Sequence, residues 1–240
     1  MAIATTLPAQ QFTVDQYHQM IDIGVLGEGD AVELIEGCIL LKGQTHENGE
    51  PILYRFSEEQ CLRMVADGIV TEEEAFTLAE VGVESEIPRN PAHDSAIERT
   101  DLAIRALLPA GLRVRVQSAI RLAGGEPEPD LAIVIGPVGS NDDHHPIVDE
   151  IAMVIEVSDS TLAYDRGIKL RAYAGAAIPA YWIVNLVDRQ VEVYGNPKAS
   201  RTGTPRFAKR SDYLPGQQVP VVLAGSAIGS IAVDAILPPG

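Results

Sequence analysis

Two acids stand where apolar side chains would be expected. Asp130 opens the run Asp-Leu-Ala-Ile-Val-Ile, and Glu156 lies inside Met-Val-Ile-Glu-Val. A carboxylate is costly to bury unless its charge is compensated. Two such acids on neighbouring strands can share one divalent cation, and carboxylate oxygens suit Mg²⁺ or Mn²⁺. A metal held this way lowers the pKa of bound water and stabilises charge on a phosphoryl oxygen. The chemistry these residues point to is therefore phosphoester hydrolysis. That reaction also calls for a cation to steady the transition state or orient the attacking water. Strand alternation puts Ser158, not a lysine, on the face of Glu156. Lys169, one helix later, is the replacement, with Tyr173 four residues on along the same helical face.

The elements that must position these groups follow from periodicity. Asp130–Ile135 and Ile151–Val157 read as strands buried on both faces, and Ala163–Ala176 as the helix after them. Tyr181–Leu186 is the next strand, with Gln190–Tyr194 as its hairpin partner. Upstream, His93–Leu108 has a helical apolar face, and Leu112–Arg121 alternates as a half-exposed strand. Tyr213–Pro220 and Ile228–Ala232 suggest two further short strands. The order implies an α/β fold with a central mixed sheet flanked by helices.

The N-terminal part repeats itself. Shifted by 44 residues, Phe12, Gln16, Met20 and Gly24 meet Phe56, Gln60, Met64 and Gly68. Each copy, about 12–37 and 56–81, predicts a helix-turn-strand unit, the first with Thr13 as N-cap and a strand over Val32–Leu41 interrupted at Gly37. The acidic turn Thr71–Glu74 suits a helix start, so the second copy is expected to be the more helical. Gly43–Pro51 reads as a linker, and Pro88–Pro91 as a break. The division is an acidic accessory part over 1–88 and a core over 89–240.

Other chemically able residues have plainer readings beside the functional one. Glu33 is a further acid for the metal shell or a solvated strand-edge acid. His93 opens a helix, where it can contact a phosphate, orient Glu156, or merely cap. Asp165 and Lys169 are spaced as an exposed helical ion pair. Asp142, Asp143, His144 and His145 read as a solvated loop.

Taken together, these residues resemble the Uma-two endonuclease family. The resemblance rests on Pro129-Asp130, Glu156-Val157-Ser158-Asp159-Ser160-Thr161-Leu162, Asp165, Lys169, Tyr173, Ile178-Pro179 and Tyr181-Trp182-Ile183-Val184. It extends upstream to Asn90-Pro91-Ala92-His93-Asp94 and Val32–Gly37, and downstream to Val191–Tyr194 and Val219–Val221. That family is similar to the PD-(D/E)XK superfamily. The resemblance implies a restriction-endonuclease-like core, a divalent metal (Mg²⁺ or Mn²⁺) and DNA as substrate. Its acids carry over onto Asp130 and Glu156, and its displaced lysine onto Lys169. Ser158 stands where the superfamily has its usual lysine.

Composition adds boundaries. The net charge is −16, with −14 on residues 1–100 and −2 on residues 101–240. A negative field opposes nucleic-acid binding, which favours the alternative of an inactive nucleic-acid- or protein-binding module of the same fold. Hydrolysis of a small phosphoester is a third reading. No apolar run is long enough to span a membrane, and no secretory leader is recognisable. Two cysteines without metal-ligand spacing fit a reduced, cytoplasmic chain. Cutting both strands of a duplex needs two sites, so a homodimer is expected.

Overall fold

The computed structural model describes residues 10–27, 29–46, 49–71, 74–75, 78, 91–199 and 204–239. Most of the expected break at Pro88–Pro91, and most of the second copy's expected strand, lie outside the described residues.

Helices α1 (Val14–Asp22) and α2 (Glu58–Ala66) start alike. Thr13 and Ser57 accept from the backbone N–H of Gln16 and Gln60, whose side chains reach back to the cap. The same glutamines then cross to the other helix's turn: Gln16 Nε2 donates to the Ile69 carbonyl at 2.8 Å, and Gln60 Nε2 to that of Val25 at 2.6 Å. Met20 and Met64, both fully buried, share one apolar cluster with Phe12, Phe56 and Leu26. The acidic turn is capped as expected, with Thr71 and Glu74 exchanging backbone and side-chain bonds.

The stretch Val32–Leu41 is a hairpin rather than one interrupted strand. β1 (Val32–Ile35) and β2 (Cys38–Thr45) pair antiparallel with Ile35 opposite Cys38. Glu36 and Gly37 between them have φ of 51° and 78°, the left-handed pair that a two-residue hairpin turn requires. β3 (Pro51–Leu53) adds to β2, so of the stretch read as a linker the described residues 43–45 and 51 are strand.

The core is a six-stranded mixed sheet of β4 (Leu112–Val116), β5 (Leu131–Ile135), β6 (Ile151–Ser158), β7 (Ala180–Asn185), β8 (Gln190–Lys198) and β9 (Arg206–Tyr213), in that spatial order. Only β6 and β7 pair in parallel, as their helical crossover demands. α3 (Pro91–Arg105), the hairpin β10–β11 (Gln218–Leu223, Ser226–Ala232) and α6 (Val233–Ile236) cover one face, over Leu131, Ile133, Ile155 and Val157. The crossover covers the other face, over Ala132, Val134, Val154 and Ile183. It runs α4 (Leu162–Tyr164), a π-helical segment (Asp165–Lys169) and α5 (Leu170–Gly175).

Two sheet boundaries differ from expectation. β4 stops at Val116 because Gln117 takes φ 43°. Tyr213–Pro220 is the end of β9 and a turn into β10. β9 itself, Arg-Phe-Ala-Lys-Arg-Ser-Asp-Tyr, is an edge strand whose charges blunt an open edge, so it lacks the apolar alternation by which strands are recognised.

The N-terminal sheet docks on the core through backbone. Leu34 forms a bridge with Glu126, whose N–H donates to the Leu34 carbonyl at 2.8 Å. Gly125 is glycine for this reason: a Cβ there would lie 2.1 Å from the Leu34 carbonyl oxygen.

Candidate active site

The register of β5 and β6 brings the two acids together. Leu131 pairs with Ile155, so Asp130 and Glu156 end up side by side on the crossover face. Their contacts are reciprocal. The Asp130 N–H donates to Glu156 Oε2 at 3.1 Å, and the Val157 N–H donates to Asp130 Oδ2 at 2.9 Å. Each carboxylate is thus fixed by the other strand's backbone.

Lys169 arrives from the π-helical segment. Its ammonium lies 3.1 Å from Glu156 Oε1 and 2.9 Å from Glu33 Oε2, and its side chain is only 3% exposed. Tyr173 donates to the same Glu156 oxygen at 2.7 Å. Glu33 comes from β1 of the N-terminal sheet. It also accepts from the Tyr164 hydroxyl at 2.7 Å and from the Glu128 N–H at 3.2 Å. His93 Nε2, at the start of α3, is 3.4 Å from Asp130 Oδ2. Asp130, Glu156, Lys169, Tyr173, Glu33 and His93 therefore meet at one place, brought together by β1, α3, the start of β5, β6 and the crossover.

Two plainer readings are corrected. Glu33 is not a solvated strand-edge acid: it is 1% exposed and ion-paired. Asp165 and Lys169 are not an exposed pair. Both are buried, and Asp165 instead accepts from Ser158 Oγ and Thr161 Oγ1, each at 2.7 Å. A helical i,i+4 spacing looks the same whether the face is wet or covered, which is why spacing alone misled. Ser158, in the expected lysine position, thus holds the crossover to the sheet. Tyr164 and Asp165 carried no separate signal of a buried role, since a tyrosine or an acid at a helix start is usually exposed.

The electrostatics follow from burial and charge. Burial pushes the Glu156 carboxyl up, and Asp130 adds to the rise while Lys169 opposes it. Burial acts the same way on Asp130, but the His93 hydrogen bond and charge, the Val157 N–H and Lys169 outweigh it and hold Asp130 below the usual range. Burial would lower Lys169, yet Glu156 and Glu33 keep it charged, well above its ordinary value. The burial of Asp165, with Glu156 nearby, pushes it up to about 8. His93 is pulled up to about 9: its burial disfavours the charge, and Asp130 restores it.

Two hard carboxylates therefore face one another, one ionised and one beside a fixed cation. Asp130 keeps 14% of its side chain open to solvent, and among the described residues its Oδ1 takes no protein bond. This donor set fits a hard divalent cation that retains several waters.

The region 59–222 matches the family model Uma2, described as "Putative restriction endonuclease". The chain belongs to the Uma2 family. One solved structure it resembles is titled "Crystal structure of a putative nuclease belonging to DUF820 from Anabaena variabilis ATCC 29413". That match has a TM-score of 0.49 at 13% identity, covering 70% of this chain and 97% of that one. No curated protein matches the chain. Among the described residues, no helix is long and apolar enough to cross a membrane.

Proposed function

We propose that this Uma2 protein is a divalent-metal-dependent endonuclease that hydrolyses DNA phosphodiester bonds. Asp130 and Glu156 would hold Mg²⁺ or Mn²⁺, and Lys169 and Tyr173 would orient Glu156. The observation that carries the reading is the convergence of Lys169, from a distant helix, on the carboxylate that also accepts the Asp130 N–H. A bound metal would supply an activated water and charge neutralisation at the scissile phosphate. The chain's own groups do the rest. Glu33 and Glu156 hold the Lys169 ammonium in one position, where its charge opposes build-up of negative potential at the site. The Tyr173 hydroxyl fixes the Glu156 rotamer. Protonated His93 keeps Asp130 ionised and offers a donor at the solvent side of the site.

Cutting both strands of a duplex needs two such sites, so the proposal includes a homodimer. Free Cys38 and Cys61 fit a reducing, cytoplasmic compartment. The reciprocal glutamine bonds of α1 and α2 support an internal duplication within the N-terminal part.

A second reading is a binding module of the same fold that has lost catalysis. Lys169 is fully paired and buried, and the charge of −16 opposes a polyanion.

Mn²⁺ titrated calorimetrically into wild type and Asp130→Ala, with plasmid cleavage alongside, separates the two readings. Binding by wild type that is lost in the variant, together with Mg²⁺-dependent nicking, supports the nuclease. A folded wild type that neither binds Mn²⁺ nor cuts DNA overturns it.

A further inference from the structure

A second cluster of metal-ligating side chains lies outside the Asp130–Glu156 pair. His18 on α1, Glu126 on the turn before β5 and His145 in the loop before β6 bring their ligand atoms within 4.8 Å of one another. Among the described residues this is the set in which three such donors converge. His18 Nε2 is 2.6 Å from Glu126 Oε2, and the two imidazole centroids are 6.4 Å apart. Glu126 is buried, while His18 and His145 border an open pocket of about 430 Å³. The loop of Asp142, Asp143, His144 and His145 is thus solvated only in part: His145 turns inward.

Each ligand sits on an anchored segment. α1 is held by its capping box. The Glu126 N–H is bonded to the Leu34 carbonyl, and the Arg121 N–H to that of Pro146, the residue after His145, both at 2.8 Å. Arg121 Nε donates to Glu126 Oε1 at 2.9 Å. That bond leaves Oε2 for a ligand and fixes the carboxylate plane, the usual service of an outer partner at a metal site. Arg121 and Arg115 bring positive charge nearby, and Asp142 and Asp143, lining the same pocket, offset it.

We propose that His18, Glu126 and His145 form a binding site for a divalent transition metal of the zinc class, separate from the Asp130–Glu156 site. Two imidazoles and one carboxylate suit zinc, whereas Mg²⁺ wants an all-oxygen set. Three protein ligands leave a fourth position for water, facing the pocket. The ion takes the place of the His18–Glu126 hydrogen bond and ties α1 to the core. The tie bears on the other site, because Leu34, bonded to Glu126, is the neighbour of Glu33.

The test is calorimetric titration of ZnCl₂ into the chelator-stripped full chain as wild type, Asp130→Ala, His18→Ala and His145→Ala. The visible absorption of added Co²⁺ reports coordination number. Wild type and Asp130→Ala should each bind one Zn²⁺ at this site and gain thermal stability from it. Each histidine variant should lose more than the roughly 10–100-fold in affinity that an outer partner's loss costs. His18→Ala could disturb α1, but His145→Ala lies in a loop and keeps the test independent of helix packing. No Zn²⁺ binding by wild type overturns the proposal. So does binding that survives both histidine variants, or binding lost in Asp130→Ala alone. Failure here leaves the Mn²⁺ and cleavage results unaffected, since those report on Asp130.

Discussion

Replacing Lys169 by methionine is the sharpest test of how the candidate active site is built. The substitution keeps most of the side-chain volume and removes the charge. Glu33 and Glu156, at 2.9 and 3.1 Å from the ammonium, are then left buried without their cation. Breaking a buried ion pair from one side typically costs about 3–5 kcal/mol. At about 2–4 °C per kcal/mol for a chain of this size, Tm should fall by roughly 6–20 °C. The pH dependence gives a second signature. Burial already raises Glu156, and Lys169 is the main opposing influence. Without it Glu156 rises further, so the folded state binds still more protons relative to the unfolded state, and the variant should gain more stability than wild type as pH falls from 7 to 5. Adding Glu33→Gln removes one of the two stranded charges and should recover part of the loss, giving a measurable coupling. Thermal and urea denaturation of the single and double variants at two pH values provide the readout. A loss below about 1 kcal/mol, as for an exposed pair, with no coupling to Glu33, would refute the arrangement.

Tyr173→Phe removes the 2.7 Å hydrogen bond to Glu156 and should cost about 1.5–3 kcal/mol in urea denaturation, with Mn²⁺ affinity weakened in calorimetry. Gly125→Ala must push a Cβ into the Leu34 carbonyl. It should destabilise by about 1–3 kcal/mol and increase proteolysis between the N-terminal sheet and the core. Glu192 is fully buried and bonded to Arg166, Tyr194 and Asn185. Burial raises its carboxyl, but those partners outweigh burial and hold it at about 2. Its contribution, about 3 kcal/mol from a shift of this size, is present above pH 4.5 and lost as pH falls towards 2. Glu192→Gln should therefore be less stable at neutrality and should flatten that acid limb, measured by circular dichroism against pH.

Much of the core was legible because its strands are buried on both faces. Leu131–Ile135 and Ile151–Ser158 read as continuous apolar runs, and an acid in such a run stands out. Glu156 and Asp130 stand out by that contrast, and Lys169 by the absence of a lysine at Ser158. What was hidden depended on long-range contacts. The burial of Glu33 comes from a hairpin turn at Glu36–Gly37 that swings β1 against residues 124–126. Composition gives no hint of that docking, because an acid on a short strand looks solvated until its partner is known. The same holds for His145, which lies among exposed polar neighbours in sequence but meets His18, 127 positions away, in space. β9 is illegible in sequence for the opposite reason: its role as an edge calls for charge, and charge erases the alternation.

The acidic N-terminal part carries −14 of the total charge, yet it contributes one of its acids to the interior of the candidate active site. Removing it would leave Lys169 with Glu156 alone and open the Tyr164 hydroxyl, which now bonds Glu33, to solvent. The Glu33 charge lets the site keep a buried lysine ionised beside Glu156 while Asp130 remains ionised as well. With two acids around one lysine, a divalent cation at Asp130 and Glu156 would meet less net repulsion than a simple Lys169–Glu156 pair would present. The N-terminal sheet thus belongs to the electrostatics of the candidate site, through the action of Glu33 on Lys169. If the nuclease reading holds, a truncated core starting near residue 91 should lose metal affinity as well as stability, even though it retains Asp130, Glu156 and Lys169. A core that binds Mn²⁺ as tightly as the full chain would show that Glu33 serves packing only.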